Sequence, residues 1–501
     1  MKNRSELNTE RRRLLKLSAA VGVSAAAPFI CRASKAAQDP EYDVIVVGAG
    51  MSGLYAAREL MSKQYRVLVL EAGNRHGGRI FSQTLGETRI EMGAEEHYLA
   101  RNNPIYDAVV DAYGTDVYAP AYVGDSLISM DGGKLCWEET GRCENDPDIQ
   151  NYWKYWSYYG NRGKHRDFSL TVADDVLAQY GVDSEHRAYH LFDSGFAGSI
   201  YGASAQRIGA ASLARQDWLW TLSEDVRVLK PRALGYSDVL DRIWWGDVLG
   251  QVKLNRPVTR VDSSSTKIVV HDATGDKHLA RKVIVTASIG VLQSESIEFT
   301  PTLPESTIQA YRNIGMGRGM KVALRFSEQF WESKMAYLIT EGLSSSGWVP
   351  SAYKQDTRDN ILMCYPMGDN GQSLTDIARS AGGGQAGQEA IIKVMLSDLD
   401  LMFDGKAGVS FIDGIVQDWT TDPYVLGSYS YPMLNTYRQP VSMRQQLAQP
   451  VDNRIFFAGE GTSNQNPSCV PGALQEGARA ARAVDRLLSA DRQGRRRLKL
   501  A

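Results

Sequence analysis

After the first 40 residues, the hydrophobic pattern begins with two short apolar runs that are separated by a segment of helical pattern. Residues 42–47 read Tyr-Asp-Val-Ile-Val-Val and residues 66–70 read Arg-Val-Leu-Val-Leu. Runs of this length, rich in β-branched and large apolar side chains, are typical of strands buried on both faces of a parallel sheet. Residues 54–63 between the two runs predict a helix. The pattern therefore predicts a β-α-β unit.

A glycine-rich turn joins the first strand of this unit to the helix. Gly48, Gly50 and Gly53 form the pattern G-x-G-x-x-G. The first glycine permits a tight turn, the second lets the backbone approach a pyrophosphate, and the third lets the helix pack closely on the strand. The first turn of the helix, which includes Ser52, offers unpaired N–H groups to the phosphates. Glu71 ends the second strand, about 20 residues further on, and is placed to accept hydrogen bonds from ribose hydroxyls.

Two further motifs follow this dinucleotide fingerprint, and a third motif lies near the end of the chain. Residues 77–79 read Gly-Gly-Arg, residues 91–94 read Glu-Met-Gly-Ala, and residues 454–460 form a strand that ends in Gly-Glu. A predicted helix through Arg482 follows this strand.

With these motifs the sequence resembles the flavin-containing amine oxidase family, which includes monoamine, polyamine and L-amino-acid oxidases. The resemblance covers residues 42 to about 487 and implies FAD, rather than NAD, as the cofactor. It implies that Arg79 and Glu460 contact FAD and that the helix start near Ala473 lies over the flavin ring. The cofactor contacts expected from these motifs are those of Gly78, Arg79, Gly93, Ala94, Gly459, Glu460 and Ala473. It also matches Val258 with a strand on the adenine side, although a valine there is equally typical of a core.

The resemblance implies an α/β fold with two domains. A Rossmann-type FAD-binding domain is expected to be discontinuous, and an α+β substrate-binding domain to fill the gaps. The expected segments of the FAD domain are residues 41–95, 245–320 and 410–490. Those of the substrate domain are residues 96–244 and 321–409.

Lys321 is the strongest candidate for a catalytic side chain. It stands in an apolar strand, residues 317–326, a few residues before Phe330-Trp331. The family keeps an active-site lysine at this distance from the same pair, where it holds a water beside the hydride-accepting nitrogen of the flavin. The alternative is a lysine on the solvent face of a strand.

The segment around Ser428 and Tyr429 adds to the resemblance and also departs from it. Some relatives carry a flavin-linking cysteine where Ser428 stands, so we expect FAD to be bound non-covalently. Tyr429 matches one wall of an aromatic cage that holds the substrate amine. The other wall falls near Cys469, which is not aromatic, so a pocket like that of the monoamine oxidases is in doubt.

Two acidic residues narrow the substrate class. Gly93-Ala94 is followed by Glu95 and Glu96, where amino-acid oxidases have an arginine that holds the substrate carboxylate. Acids in this place repel a carboxylate and attract an ammonium. Polyamine oxidases also have a glutamate nearby, but its aligned position here is Tyr98. The alternative is that both acids face solvent or bind backbone amides.

The first 36 residues indicate export. Arg11-Arg12-Arg13-Leu14-Leu15-Lys16 follows the twin-arginine form R-R-x-L-L-K, an Ala-rich apolar run extends to Ile30, and Ser34-Lys35-Ala36 offers a small-x-small cleavage site. The apolar run is too short for a membrane span, which needs about 20 residues. We therefore predict a periplasmic or secreted protein; the alternative is a basic disordered tail.

The net charge excludes one class of partner. The whole chain has 56 Lys and Arg against 58 Asp and Glu, a charge of −2. Residues 1–36 hold eight of the bases and two of the acids, so the rest has 48 bases and 56 acids. Such a surface is unsuited to nucleic acid or anionic membranes, and suits small cations better.

The remaining patterns leave several points open. Cys136 and Cys143 flank a segment that could be a hairpin, so a disulfide and two free thiols are both compatible with an oxidising compartment. No cysteine pair has zinc-site spacing, and His186 and His190 lack an H-E-x-x-H context, so no metal is expected. The aromatic segment Tyr152–Tyr159 suits a substrate entrance, a core or a subunit interface, the last of which would make a homodimer.

The expected activity is oxidation of a small amine by hydride transfer to FAD. The imine product would hydrolyse to a carbonyl compound, and dioxygen or a cytochrome-type carrier would accept the electrons. Two alternatives remain: a carbon–carbon desaturase with an apolar substrate, and a non-catalytic FAD-binding scaffold. Lys321 and the acidic pair argue against the first, and Lys321 and Tyr429 against the second.

Overall fold

The computed structural model describes most of the chain from residue 41 onward. The described ranges are 41–98, 103–121, 124–130, 134–138, 143, 145–160, 167–222, 225–230, 233–350, 357–438 and 440–500. The predicted export signal, residues 1–36, lies outside them, and its assignment stays a prediction.

The described part of the chain forms a mixture of strands and helices. The strands are β1 Glu41–Val47, β2 Val67–Leu70, β3 Ser82–Leu85, β4 Thr88–Glu91, β5 His97–Tyr98, β6 Tyr118–Pro120, β7 Asp125–Met130, β8 Lys134–Trp137, β9 Val226–Leu229, β10 Val252–Lys253, β11 Val258–Asp262, β12 Ile268–Asp272, β13 Lys277–Val285, β14 Glu298–Thr300, β15 Ile314–Met316, β16 Met320–Phe326, β17 Met335–Thr340, β18 Ser346–Trp348, β19 Asn360–Cys364, β20 Phe411–Asp418, β21 Ser430–Pro432 and β22 Ile455–Phe457. The α-helices are α1 Met51–Ser62, α2 Pro104–Tyr113, α3 Pro147–Gly160, α4 Val172–Tyr180, α5 Arg187–Phe192, α6 Ser199–Tyr201, α7 Ala210–Leu219, α8 Tyr236–Leu240, α9 Ile289–Gln293, α10 Glu305–Arg312, α11 Gly368–Ser380, α12 Gly384–Met402, α13 Lys406–Ser410, α14 Met443–Leu447 and α15 Val470–Leu500.

The first sheet has the order β10-β2-β1-β13-β12-β11-β14, and β22 pairs with β13. Strands β10, β2, β1, β13 and β22 run parallel to their neighbours at its centre. Both faces of this centre are covered, which explains the continuous apolar runs. Successive residues of β1 alternate between two cores: Val44 and Val46 pack with α1 and α15, while Ile45 and Val47 pack with α9 and α10.

The second sheet has the order β20-β16-β19-β18-β17-β7-β8. Strand β16, which lies between β20 and β19, is buried along nearly its whole length. Val322 and Leu324 point to the face covered by α12. Ala323 points to the opposite face, toward Met92 and Trp348. Because side chains alternate along a strand, Lys321 shares that opposite face with Ala323.

The predicted α/β fold class, a Rossmann-type domain with a second α+β part, is confirmed. The domain boundaries stay a prediction, and strand pairing argues for two changes to them. Strand β20 was assigned to the FAD segment but pairs with β16 of the second sheet. Helix α8 was assigned to the substrate segment but packs in the core of the first sheet.

The aromatic segment lies on helix α3 and is mostly internal. Tyr152, Tyr155 and Tyr159 are buried in a core formed with α4 and α5. Trp153 and Trp156 are half-buried and line a large cavity. Cys136 and Cys143, whose state the sequence left open, form a disulfide next to this core. Among the described helices, none combines the length and apolar character that crossing a bilayer requires.

Candidate active site

The glycine turn after β1 has the geometry that a dinucleotide cradle needs. Gly48 has φ +101°, a backbone conformation that favours glycine. A Cβ added to Gly53 would lie 2.0 Å from the Gly48 carbonyl oxygen, so helix α1 approaches the strand at a distance that only glycine permits. Ser52 is buried on the first turn of α1, and its hydroxyl has no partner within the described residues. Unpaired donors at a helix start, facing a cavity, suit the phosphates of FAD.

Glu71 at the end of β2 fixes the shape of this turn. Its Oε2 accepts a hydrogen bond from Ala49 N at 2.7 Å, and its Oε1 accepts one from Gly73 N at 2.8 Å. The carboxylate lines the same cavity as Val258, the first residue of β11. Because each carboxylate oxygen has two lone pairs, Glu71 keeps capacity for a ribose hydroxyl.

Arg79 and Glu460, which are far apart in the sequence, form an ion pair in the lining of the cavity. Arg79 Nη1 lies 2.9 Å from Glu460 Oε1 and also donates to Ser428 O. Burial by itself raises the pKa of Glu460, but the charges of Arg79 and Arg444 and a hydrogen bond from Ser430 hold it below its usual range. A carboxylate held in this way stays ionised and ties the C-terminal Gly-Glu motif to the N-terminal one.

Two further glycines bring separate loops into contact at the cradle. Gly78 has φ +57°, and a Cβ there would lie 3.3 Å from Gly50 Cα. A Cβ on Gly93 would lie 2.0 Å from the Arg79 carbonyl oxygen. The Gly-Gly-Arg segment can therefore approach the glycine turn, and the Gly-Ala segment can approach the Gly-Gly-Arg segment, only because these positions lack side chains.

A single cavity of about 1720 Å³ joins nearly all the predicted site residues. Gly53 is the exception, since it packs against Gly48 rather than lining the cavity. The predicted residues that line it are Gly48, Gly50, Ser52, Glu71, Gly78, Arg79, Gly93, Ala94, Glu95, Glu96, Val258, Lys321, Tyr429, Gly459, Glu460, Cys469 and Ala473. Their predicted contacts with cofactor and substrate stay predictions.

Lys321 is buried and paired rather than exposed on a solvent face. Its Nζ donates to Glu95 Oε2 at 3.1 Å and to the Glu91 carbonyl oxygen at 3.1 Å. Only 6% of the lysine side chain and 9% of the Glu95 side chain are exposed. The ammonium also lies 4.8 Å from the ring centre of Trp348, a cation–π contact. Two of its three N–H groups thus have partners among the described residues.

Glu96 lies near three tyrosines that come from different segments of the chain. Tyr98 Oη donates to Glu96 Oε2 at 3.3 Å. Tyr365 Oη donates to Tyr429 Oη at 3.2 Å, and Tyr429 Oη donates to the Ser199 carbonyl oxygen at 3.0 Å. Burial raises the pKa of Tyr98 and Tyr429, and the charge of Glu96 raises both further. These phenols therefore stay protonated at neutral pH.

Cys469 lines the cavity near this group. Its thiol donates to the Asn466 carbonyl oxygen, and burial raises its pKa to about 12. Tyr98 lies near Cys469 and packs edge-on against Trp220, with the ring centres 5.7 Å apart. The aromatic surface near Cys469 is thus supplied by residues of other elements.

Sequence reasoning missed several residues of the substrate side of the cavity. Tyr337, Trp348 and Tyr365 come from strands of the second sheet or their ends, and Trp220 follows α7. Each is an aromatic residue in an apolar run, so its local pattern indicates only a buried strand or helix end. The pairing of β16 with β19 and of β18 with β17 brings them together, which no local pattern encodes.

One cluster of potential metal ligands in the described part has a structural explanation. Asp272, Asp276 and His278 bring three ligand atoms within 4.8 Å of one another. They belong to the β12–β13 hairpin, where Asp272 accepts hydrogen bonds from His278 Nε2 and from Thr274. Arg256 lies 3.5 Å from Asp272 and neutralises its charge.

Comparison with known proteins identifies the family. A model described as flavin containing amine oxidoreductase matches residues 134–485, and a model of NAD(P)-binding Rossmann-like domains matches residues 46–112. The first match covers well over half of the chain. The chain belongs to the flavin-containing amine oxidoreductase family.

Individual relatives are distant. Lysine-specific histone demethylase 1 homolog 3 of Arabidopsis thaliana is 26% identical over 90% of this chain and 30% of its own length. Probable polyamine oxidase 4 of the same plant is 27% identical over 89% of this chain and 87% of its own length. The chain spans 30% to 53% of the length of the first curated relatives it matches.

A solved structure of similar fold is the Cyclohexylamine Oxidase from Brevibacterium oxydans IH-35A. It has a TM-score of 0.71 and 21% sequence identity, and the match covers 90% of this chain and 100% of that chain. With the family match, the predicted enzyme class, an FAD-dependent oxidoreductase acting on amines, is confirmed. The predicted flavin cofactor, FAD, is confirmed as well, and the serine at position 428 agrees with the predicted non-covalent binding.

Proposed function

We propose that this amine oxidoreductase oxidises a small amine at the carbon next to its nitrogen. The observation that carries the proposal is the position of Glu96. Its carboxylate lies in the same cavity as the dinucleotide cradle, within hydrogen-bonding distance of Tyr98 and within the electrostatic reach of Tyr429. A carboxylate surrounded by aromatic rings attracts an organic ammonium by charge and by cation–π contact.

The two neighbouring acids have different roles in this proposal. Glu95 is paired with Lys321, so its charge is already compensated. Glu96 accepts a hydrogen bond from the phenol of Tyr98 and lines the same cavity as Tyr429. We therefore assign substrate binding chiefly to Glu96, with Tyr429 as one wall of the site and Cys469 beside it.

The protein positions the amine and excludes water, and bound FAD supplies the acceptor for the hydride. Tyr429 is held by hydrogen bonds from Tyr365 and to Ser199 O, so its ring offers a fixed surface to the amine. Lys321 directs two N–H groups at Glu91 and Glu95, which leaves the third for a water in the cavity. The imine product would hydrolyse to an aldehyde or a ketone.

The electron acceptor is part of the proposal. Dioxygen would yield hydrogen peroxide, whereas a cytochrome-type carrier would take the electrons without peroxide. Both are compatible with the predicted export. The names of the relatives point to polyamines and to cyclohexylamine as classes to include in a test.

The experiment is anaerobic mixing of the purified holoenzyme with a panel of amines while the flavin absorbance is recorded. The panel contains monoamines, cyclic amines, polyamines and amino acids. Each amine has a matched control in which a hydroxyl replaces the amino group, such as cyclohexanol for cyclohexylamine. We expect loss of the oxidised flavin band with at least one class of amine and with none of the alcohols.

Other outcomes would contradict the proposal. If no amine bleaches the flavin band but an apolar polyene does, the enzyme is a desaturase. If amino acids alone react, the substrate carries a carboxylate, and the proposal that Glu96 binds the ammonium group of a simple amine is wrong. Admitting air or oxidised cytochrome c to the bleached enzyme then identifies the acceptor.

A further inference from the structure

A glutamine of helix α7, Gln216, lines the cavity although only 4% of it is exposed. Its Oε1 accepts a hydrogen bond from Arg444 Nη2 at 3.3 Å. An arginine side chain has five N–H donors and no acceptor, so only the oxygen of the amide can face it. The contact with Arg444 therefore fixes which way round the amide of Gln216 lies.

Arg444 is a rigid anchor for this amide. It is fully buried, and its Nη1 donates to Ser430 Oγ at 2.7 Å and to the Gly461 carbonyl oxygen at 3.1 Å. The guanidinium also lies 5.8 Å from the ring centre of Tyr437. Because the charged group donates to the amide oxygen, it polarises the amide and strengthens the N–H groups of Gln216 as donors.

The amide nitrogen of Gln216 is the polar atom that this side chain presents to the cavity. Within the described part of the chain, Nε2 has no hydrogen-bond partner. Because an enclosed amide donor without a partner is unfavourable, a ligand atom that accepts from it gains affinity. An ammonium group has donors only, so the matching atom is an acceptor such as a hydroxyl, ether or carbonyl oxygen.

The end of α7 belongs to the substrate side of the cavity. Trp220, one turn further along the chain, lines the cavity and packs against Tyr98, with the ring centres 5.7 Å apart. Thr221 N donates to Asn466 Oδ1 at 3.1 Å, and the Asn466 carbonyl oxygen accepts a hydrogen bond from the Cys469 thiol. The glutamine thus stands on an element that is tied to the proposed amine site.

We infer that Gln216 selects amines that carry an oxygen acceptor away from the amino group, such as amino ethers and amino alcohols. The Nε2–H group donates to this oxygen while Arg444 holds the amide in place. A hydrocarbon chain of the same length leaves the donor unpaired, and a diamine presents a second ammonium that cannot accept. This inference rests on the proposed function and names the substrate class of the same site.

The test compares amines that differ at one atom. Methoxypropylamine, pentylamine and N-methylpropanediamine have the same chain length and carry an ether oxygen, a methylene and an ammonium at the same position. The set is repeated with longer spacers, which move this position away from the amino group. Anaerobic titration of the oxidised flavin spectrum gives Kd, and stopped flow gives the rate of flavin reduction. For the best spacer we expect wild type to bind the ether about 10-fold more tightly than the hydrocarbon, the effect of one hydrogen bond.

Gln216→Glu keeps the bond to Arg444 and changes the group that faces the cavity. One carboxylate oxygen still accepts from Arg444 Nη2, and the other replaces the amide donor by a charged acceptor. We expect the preference for the ether to be lost, and the affinity for the diamine relative to the hydrocarbon to rise at least about 10-fold. A general loss of packing would weaken all three amines together and would not reverse their order.

Gln449→Glu is the charge-matched control. Gln449 is exposed, and its amide donates to the Gln445 carbonyl oxygen. This variant adds the same negative charge outside the cavity lining and should keep the wild-type order of affinities. Gln216→Met covers the case in which Gln216→Glu does not bind FAD: the ether should lose its advantage over the hydrocarbon, without a gain for the diamine.

Several results would overturn the inference. If wild type binds ether and hydrocarbon equally at every spacer length, or if Gln216→Glu keeps the wild-type order, the amide does not contact the substrate. If both Gln216 variants lose FAD, the amide faces the cofactor instead.

Failure of the proposed function has a different signature. Amines that bind in the expected order but leave the flavin oxidised contradict the proposed oxidation and leave the binding inference standing. Amines that reduce the flavin without any preference for oxygen contradict the inference alone, and binding of no amine contradicts both.

Discussion

At the residue scale, the most distinctive feature of the cavity is a buried ion pair. The buried pair of Lys321 and Glu95 brings one positive and one negative charge to 3.1 Å with less than a tenth of either side chain exposed. Desolvation offsets much of the attraction in such pairs, but removal of one partner leaves a buried charge uncompensated. This asymmetry makes the pair testable.

We expect Glu95→Ala to lower the free energy of unfolding of the holoenzyme by about 3 kcal/mol, since it strands the Lys321 ammonium. The double variant Glu95→Ala, Lys321→Met should recover most of this loss. Urea unfolding at a fixed FAD concentration, followed by tryptophan fluorescence, measures both. If the two single losses simply add in the double variant, the residues do not interact in solution.

Lys321→Met alone should reduce activity whatever its effect on stability. Under the proposed function the lysine orients a water in the cavity, so we expect a fall in the rate of flavin reduction or of its reoxidation. Stopped-flow measurement of the two half-reactions separates these steps. Wild-type rates in both half-reactions would remove Lys321 from the mechanism.

At the scale of elements, the glycines between β1 and α1 serve two purposes. One allows the helix to pack on the strand, and another leaves room for a ligand. Gly53 faces Gly48 O within the protein, whereas the nearest atom to a Cβ on Gly50 is Gly78 Cα at 4.0 Å. Gly50 has φ −82°, which alanine adopts without strain. The two glycines of one motif therefore have separable functions.

We expect Gly53→Ala to destabilise the apoprotein by about 2 kcal/mol, because its Cβ would collide with backbone. Gly50→Ala should leave the melting temperature of the apoprotein unchanged and weaken FAD binding at least about 10-fold, since the backbone must approach the pyrophosphate there. Calorimetric titration of apoprotein with FAD, beside thermal melts, measures both. Equal FAD affinity of wild type and Gly50→Ala would contradict the assignment of the turn.

For the whole molecule, the predicted export and the observed disulfide belong together. Disulfides persist in oxidising compartments and are rare in the cytosol. An enzyme carried in folded, FAD-loaded form by the twin-arginine route would form the Cys136–Cys143 bond once it reaches the oxidising compartment. Cys364 and Cys469 carry free thiols.

We expect the protein from periplasmic fractions to lack residues 1–36 and to show two reactive thiols after denaturation without reductant. Replacing Arg11 and Arg12 by lysine should retain the full-length protein in the cytoplasm, with additional free thiols. Mass spectrometry and thiol titration of the fractions measure this. Export of the double-lysine variant at the wild-type level would contradict the twin-arginine assignment.

The sequence by itself determined the parts of this protein that depend on near neighbours in the chain. The β-α-β unit, its glycine turn and Glu71 fall within about 30 residues, so hydrophobic period and turn chemistry suffice to predict them. The Gly-Glu motif before α15 and the lysine before Phe330-Trp331 required the family resemblance, because each is informative only in relation to distant segments.

Only the tertiary structure decided how the two neighbouring acids differ. In sequence Glu95 and Glu96 are equivalent, and solvent exposure was as good an interpretation as substrate binding. The pairing of β16 with β20 and β19 brings Lys321 to Glu95, and the same sheet brings Tyr365 to Tyr429 near Glu96. The state of the two cysteines was decided in the same way. Contacts between residues hundreds of positions apart depend on strand register and packing, which a local pattern of apolar and polar residues does not contain.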